Sequence, residues 1–216
     1  MTAQHRVIGV DEAGKGDYFG PLVIAGVFVD PAAAEKLLPL NVRDSKLVSD
    51  KKALEMASKI KEIAKHSVVI INPDKYNELY ARIKNLNKLL AWGHARIIEN
   101  LLAEVECDYA ISDKFADEHR IQDALMEKGK KIILKQETGA EKYLPVAAAS
   151  ILARAAFLEG IQKLSGEAGM VLPKGATHVK DAGVELIKLK GRASLCKFAK
   201  LHFKITKSLD QQGLGL

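Results

Sequence analysis

The sequence predicts an α/β fold, and three features point to it. Short valine- and isoleucine-rich runs alternate with stretches of helical periodicity, two of these runs lead directly into carboxylates, and no Pro-, Gly- or Ser-rich linker splits the chain into separate cores. Val7 to Val10 and Leu22 to Val29 read as buried strands because their apolar residues are continuous rather than alternating. Ser67 to Ile71, Asp108 to Ser112 and Lys131 to Leu134 read as further short strands. Between them, Leu86, Leu89, Leu90, Gly93, Ile97 and Leu101 recur at helical spacing and predict one long helix from Asn85 to Glu104. Helices are also expected from Asp50 to Lys65, from Pro145 to Leu164, and in two basic stretches after Asp181 and Ala193.

The chain has 216 residues, 48% hydrophobic and 28% charged, which suits a single globular domain with a real core. A single domain over 1–216 is expected, as a 1–165 α/β core followed by a basic helical segment, 166–216. The longest apolar stretch, Tyr143 to Leu152, falls short of the roughly 20 residues that span a bilayer. Met1 to Val7 carries no secretory apolar stretch, and two cysteines, Cys107 and Cys196, suit free thiols in a reducing cytoplasm.

Net charge is +6, and its distribution is uneven. Residues 1–169 balance 24 Lys and Arg against 24 Asp and Glu, whereas 170–216 carry nine against three. Lys188, Lys190, Arg192, Lys197, Lys200, Lys204 and Lys207 suit a polyanion, because neutralising phosphates releases condensed counterions. Composition alone leaves open an ordinary solvated surface.

The densest chemical signal is Gly9-Val10-Asp11-Glu12-Ala13-Gly14-Lys15-Gly16-Asp17-Tyr18-Phe19-Gly20-Pro21. A carboxylate at the end of a buried strand has to be hydrated, paired or bound to a cation, since an isolated buried charge is prohibitive. Glycines on either side of Lys15 let backbone amides approach a phosphate or a ribose hydroxyl. The spacing fits neither the phosphate loop of nucleotide hydrolases nor a dinucleotide fingerprint, and taken alone it also suits an acidic turn closed by local salt bridges. Asp113 repeats the arrangement after Tyr109-Ala110-Ile111, while Asp117 and Glu118 fit a helix start. Glu137 and Glu141 both precede the apolar helix from Pro145, and spacing does not choose between them. Tyr18 and Phe19 suit either a sugar or base contact or an anchor for the turn. His94 reads as a packed, hydrogen-bonded histidine, and His178 and His202 suit phosphate contact or a neutral role equally.

Gly9 to Pro21 resembles the signature of type 2 and type 3 ribonucleases H, and Gly-Lys-Gly-Asp-Tyr-Phe-Gly-Pro resembles ribonuclease HIII in particular. The likeness continues through Asp44-Ser45-Lys46, Asn85-Leu86-Asn87, Ala91-Trp92-Gly93-His94, Ser112-Asp113-Lys114-Phe115, Ala147-Ala148-Ala149-Ser150-Ile151 with Arg154, Leu172 to Ala176, and Ala199 to Phe203. It implies a ribonuclease H-like mixed central sheet flanked by helices, and hydrolysis of the RNA strand of RNA–DNA hybrids to 5′-phosphate and 3′-hydroxyl ends. An acidic tetrad of Asp11, Glu12, Asp113 and Glu141, with Glu137 the alternative to the last, would hold two Mg²⁺ or Mn²⁺ ions. Gly14, Lys15, Gly16, Asp44, Ser45, Lys46 and Asn87 would lie against the substrate. The partner implied is the hybrid duplex, bound by a monomer without an obligate protein partner. In this family an N-terminal domain resembling the TATA-binding protein commonly precedes the signature, which here begins at Val7, and the basic C-terminal segment is expected to compensate in gripping the duplex.

Overall fold

The computed structural model describes residues 6–42, 48–114 and 119–211. The chain divides into two compact units, Met1–Ala13 with Val23–Val69 and Asn85–Ala156, and Gly14–Leu22 with Ile70–Lys84 and Phe157–Leu216.

The first unit is organised by a five-stranded sheet in the order β3-β2-β1-β4-β5. Its strands are β1 (Val7–Ala13), β2 (Leu22–Val29), β3 (His66–Ile71), β4 (Tyr109–Asp113) and β5 (Ile133–Glu137). β1 pairs antiparallel with β2 in unbroken register from Val7↔Val29 to Ala13↔Val23, and parallel with β4, which in turn pairs parallel with β5. The sheet is therefore mixed, as the ribonuclease H-like expectation requires. All eight residues of β2 are buried, which explains why its apolar run is continuous.

The helices begin where the local chemistry predicts. Asp30 caps α1 (Pro31–Leu37) by accepting from Ala33 N at 2.8 Å, with proline at the first helical position. Ser49 caps α2 (Asp50–Ile63), and Asn85 caps α4 (Leu86–Leu102) by accepting from Lys88 N at 3.1 Å. α4 buries Leu89, Leu90, Gly93, Ile97 and Leu101 as expected, together with His94, whereas Leu86 is only partly covered. α5 (His119–Ala124) and the start of α6 (Leu144–Ala168) complete this unit.

Two glycines set how close the layers come. A Cβ on Gly9 would stand 2.2 Å from the Pro145 carbonyl carbon, and one on Gly26 would stand 2.3 Å from Ile97 Cγ2. Because successive strand residues face opposite sides, Gly9 and Asp11 lie beneath α6, whereas Val10 and Glu12 lie beneath α4. Gly9→Ala is expected to destabilise the protein by on the order of 1–3 kcal/mol, read as a lower urea midpoint with an unchanged slope, since the obstructing atoms are backbone. An unchanged midpoint would show that α6 yields freely.

α6 is long and apolar enough by length and composition to cross a membrane, but 72% of its apolar window is buried, which marks it as a core helix. The second unit contains α3 (Pro73–Ile83), the end of α6, α7 (Lys180–Lys190) and α8 (Lys204–Gln211). The basic stretch after Ala193 departs from expectation. Arg192–Lys197 forms 3₁₀ turns, and the next α-helix starts only at Lys204. Gly191, at φ 81°, breaks the chain out of α7.

Candidate active site

β1 continues past its apolar run, so Asp11 and Glu12 are strand residues rather than loop residues. The β1–β4 register places Val10 opposite Ser112, and one step further stand Asp11 and Asp113. Asp113, the last residue of β4, accepts a hydrogen bond from Ala140 N at 3.0 Å. Ala140 is fully buried with Val7, Ile111 and Val146, so it pins down the short 3₁₀ turn Ala140–Lys142 that carries Glu141. A glycine with φ 71°, Gly139, starts that turn.

Asp11 is 8% exposed, and its Oδ1 accepts from Glu12 N at 2.8 Å. Burial first, then the charges of Glu12, Glu141 and Asp113, hold its carboxyl well above the usual carboxylate range, against the opposing hydrogen bond from that amide. These are the other three acids of the expected tetrad, and all four belong to one compact unit.

Glu137 behaves differently, although its register pairs it with Asp113. Its carboxylate is held by Lys135 at 2.6 Å, by Lys142, and by the Tyr143 hydroxyl at 2.8 Å. Hydrogen bonds from Lys135, Lys142 and Tyr143 pull its pKa down to about 2. A carboxylate already neutralised by two ammonium groups is a poor candidate for a second cation, and Glu137 does not contribute to the perturbation of Asp11. The geometry favours Glu141.

Glu12 lies under α4, where its Oε2 is 3.0 Å from His94 Nε2. The other ring nitrogen, Nδ1, is 2.9 Å from Ser112 Oγ, and both His94 and Ser112 are fully buried. The histidine is packed and hydrogen-bonded as its sequence context implied, but its partner is one of the candidate acids. Nothing in its helical spacing reveals that link.

The expected substrate residues fall in different places. Gly14, Lys15 and Gly16 follow β1 directly and belong to the second unit. Gly14 adopts φ 85°, and a Cβ there would lie 2.2 Å from Pro21 O, while Gly16 faces open space and Lys15 is exposed. Only glycine fits the first position, and an exposed cation with an open backbone follows. The loop is closed by Asp17, whose Oδ1 accepts from Gly175 N at 2.6 Å, and by Tyr18 N donating to Gly175 O at 2.8 Å. Asn87 is in the first turn of α4, partly exposed. Asp44, Ser45 and Lys46 lie outside the described residues, as do Asp117 and Glu118.

Three open readings now close. Tyr18 and Phe19 are fully buried, with ring centroids 4.8 Å apart and the Thr206 hydroxyl 3.2 Å from Tyr18 Oη, so they anchor the turn and present no face to a base. His202 packs on Tyr76, Tyr80 and Phe203, and burial followed by the Lys200 charge lowers its pKa, which suits a neutral role. Lys200 must be struck from the polyanion-binding set, because it is fully buried and donates to Gly20 O at 2.6 Å. Lys188, Lys190, Arg192, Lys197, Lys204 and Lys207 are exposed, although Arg192 is engaged by Asp210 at 2.6 Å.

The model of the family described as Ribonuclease HII matches residues 8–206. The chain belongs to the ribonuclease HII family. Within that family, Ribonuclease HIII of Protochlamydia amoebophila is 48% identical over 198 residues, 91% of this chain and 66% of that protein. Ribonuclease HIII of Chlamydia pneumoniae is 48% identical over 201 residues, 91% and 67% of the two lengths. The chain thus spans about two thirds of the length of these relatives. Among solved structures, Bst-RNase HIII in complex with Mn²⁺ superposes with a TM-score of 0.90 at 33% identity, covering 98% of this chain and 71% of that one. Ribonuclease H2 from Pyrococcus horikoshii gives 0.81 at 25% identity, covering 96% and 98%. The ribonuclease H-like sheet and the likeness to ribonuclease HIII are thereby established.

Proposed function

We propose that this chain is an endoribonuclease that hydrolyses the RNA strand of RNA–DNA hybrids, with two divalent cations held by Asp11, Glu12, Asp113 and Glu141. The observation that carries the reading is Asp11: a carboxyl pushed upward first by its burial and then by three neighbouring acids, with no basic side chain among the groups that shift it. Such an arrangement is strained in isolation and suits a divalent ion.

The donor set fits Mg²⁺ or Mn²⁺, because every candidate ligand is a hard carboxylate oxygen. Among the described residues no group of three or more His, Cys, Asp or Glu side chains already has the spacing of a metal site, so the four acids would have to draw together on an ion as it binds. The Mn²⁺ seen with Bst-RNase HIII supports the same choice. When bound, two such ions polarise the phosphodiester, activate water and stabilise the leaving oxygen.

The protein's share is placement. Asp11, Glu12 and Asp113 sit on adjacent strands and Glu141 on its buried turn. In-line attack of water then leaves a 5′-phosphate and a 3′-hydroxyl. Amides around Gly14 and Gly16 read the 2′-hydroxyl that distinguishes RNA, and Lys15 and the exposed cations of 170–216 neutralise phosphate. We assign the enzyme to the cytoplasm as a monomer, in keeping with two free cysteines.

The test is cleavage of an end-labelled hybrid with Mg²⁺, Mn²⁺ or EDTA, alongside RNA-only, DNA-only and single-ribonucleotide duplexes. Asp113→Asn should lose on the order of 10²–10⁴-fold in rate, the several kcal/mol of charge stabilisation that the ions provide. Binding without cutting under every metal condition would identify a noncatalytic module. Preference for the single ribonucleotide would identify nicking of the ribonuclease HII kind.

A further inference from the structure

We infer that His94 is a positioning residue for the metal-binding acids, linking Glu12 on β1 to Ser112 on β4 and orienting Glu12 for a cation. The inference rests on the nuclease reading above and names a residue that this reading does not require.

The geometry assigns each atom a role. A carboxylate oxygen only accepts, so the 3.0 Å contact with Glu12 Oε2 makes His94 Nε2 the donor. Nδ1 lies 2.9 Å from Ser112 Oγ, which ties the second ring nitrogen to β4. Ser112 Oγ also lies 3.0 Å from the Asp113 carbonyl oxygen, so the network begins at the residue next to one candidate ligand and ends on another. His94 is entirely buried, and the Glu12 side chain is 6% exposed, so little water competes for these bonds.

The contrast with Glu137 shows why an imidazole suits the position. Lys135 and Lys142 hold Glu137 as ion pairs, which balances its charge. His94 offers Glu12 one N–H in a fixed direction. α4 sets that direction, packing closely on the sheet at Gly26 and at Gly93, where a Cβ would meet Ile24 Cδ1 at 2.8 Å. Groups that hydrogen-bond a metal's ligands typically govern affinity 10- to 100-fold.

The experiment measures Mn²⁺ binding to the full chain by calorimetry, without nucleic acid, and in parallel kcat and KM on the hybrid across Mn²⁺ concentrations. His94→Leu should weaken Mn²⁺ binding by about 10- to 100-fold and lower kcat at limiting metal, with excess Mn²⁺ restoring much of it and KM for the hybrid unchanged. His94→Gln places an amide nitrogen near the Nε2 position and should recover most of the affinity, whereas His94→Asn, which reaches only the Nδ1 position, should not. This pair decides the matter even where the leucine variant does not fold. Equal affinities for the Gln and Asn variants, or wild-type Mn²⁺ binding by a folded His94→Leu, would overturn the inference while leaving the nuclease reading intact. A wild-type chain that binds no Mn²⁺ and cuts nothing would sink the nuclease reading and this inference with it.

Discussion

Asp11→Asn is expected to melt at a higher temperature than the wild type in EDTA while cutting no hybrid. Folding removes the Asp11 carboxyl from water and places it among Glu12, Glu141 and Asp113, which raises its pKa above the unfolded value. The sign follows from linkage. A carboxyl whose folded pKa is raised binds its proton more tightly in the native state, so metal-free stability is greatest below the unfolded pKa and declines as pH rises through the folded one. At neutral pH the charged form is therefore a liability until a cation arrives. Asparagine is nearly isosteric, keeps an oxygen for the Glu12 amide, and removes the charge. The expected gain is on the order of 1–2 kcal/mol, a few degrees in Tm for a chain of this size, and it should fade towards acid pH. Mn²⁺ should raise the Tm of the wild type much more than that of the variant. A variant less stable than the wild type in EDTA at neutral pH would mean that the acids do not repel one another as the geometry implies.

A second large effect concerns Lys200. Its ammonium is buried and donates to Gly20 O at 2.6 Å and toward Phe19 O at 3.4 Å, 5.9 Å above the Tyr76 ring. Burial, only partly offset by Asp17, lowers its pKa to about 7. For a lysine with a depressed folded pKa the unfolded chain binds the extra proton, so stability rises with pH from about 7 towards the unfolded value near 10.5. Wild-type stability should therefore increase by a few kcal/mol between pH 7 and 10 relative to Lys200→Met, whose curve lacks this component. Methionine fills a similar volume but leaves two buried carbonyls short of a donor, at a cost of about 1–3 kcal/mol each. The same carbonyls end the turn that begins at Gly14. If that turn holds the duplex, the variant's KM for hybrid rises with kcat largely kept. Parallel pH–stability curves for the two proteins would show that Lys200 stays charged in the fold throughout.

Much of the architecture was legible because it rests on local patterns. Continuous apolar runs located the buried strands, and the helical spacing of Leu89, Leu90, Gly93, Ile97 and Leu101 located α4. The acids at the ends of those apolar runs, Asp11-Glu12 and Asp113, stood out because an unpaired carboxylate is costly in buried β-structure. The 3₁₀ segment from Arg192 to Lys197 was less visible, since its residues also suit an α-helix and only the packing of Leu195 beneath it selects the tighter turn. Lys200 misled for a related reason. A lysine among lysines reads as surface until the backbone carbonyls that enclose it, from residues 180 positions away, are in place.

The amino-acid order by itself determined the alternation of strands and helices, the acids that close two apolar runs, and the glycine that turns the chain at position 14. Each of these depends on residues within a few positions of one another. Only the tertiary structure brought the charge of Glu141 to bear on Asp11 while lysines hold Glu137, set His94 against Glu12, and buried Lys200. The physical reason is that hydrogen bonding and charge coupling act over a few ångströms. Which side chains come that close is set by strand register and helix packing, which bring together residues as distant as His94 and Glu12, 82 positions apart, and Lys200 and Gly20, 180 apart.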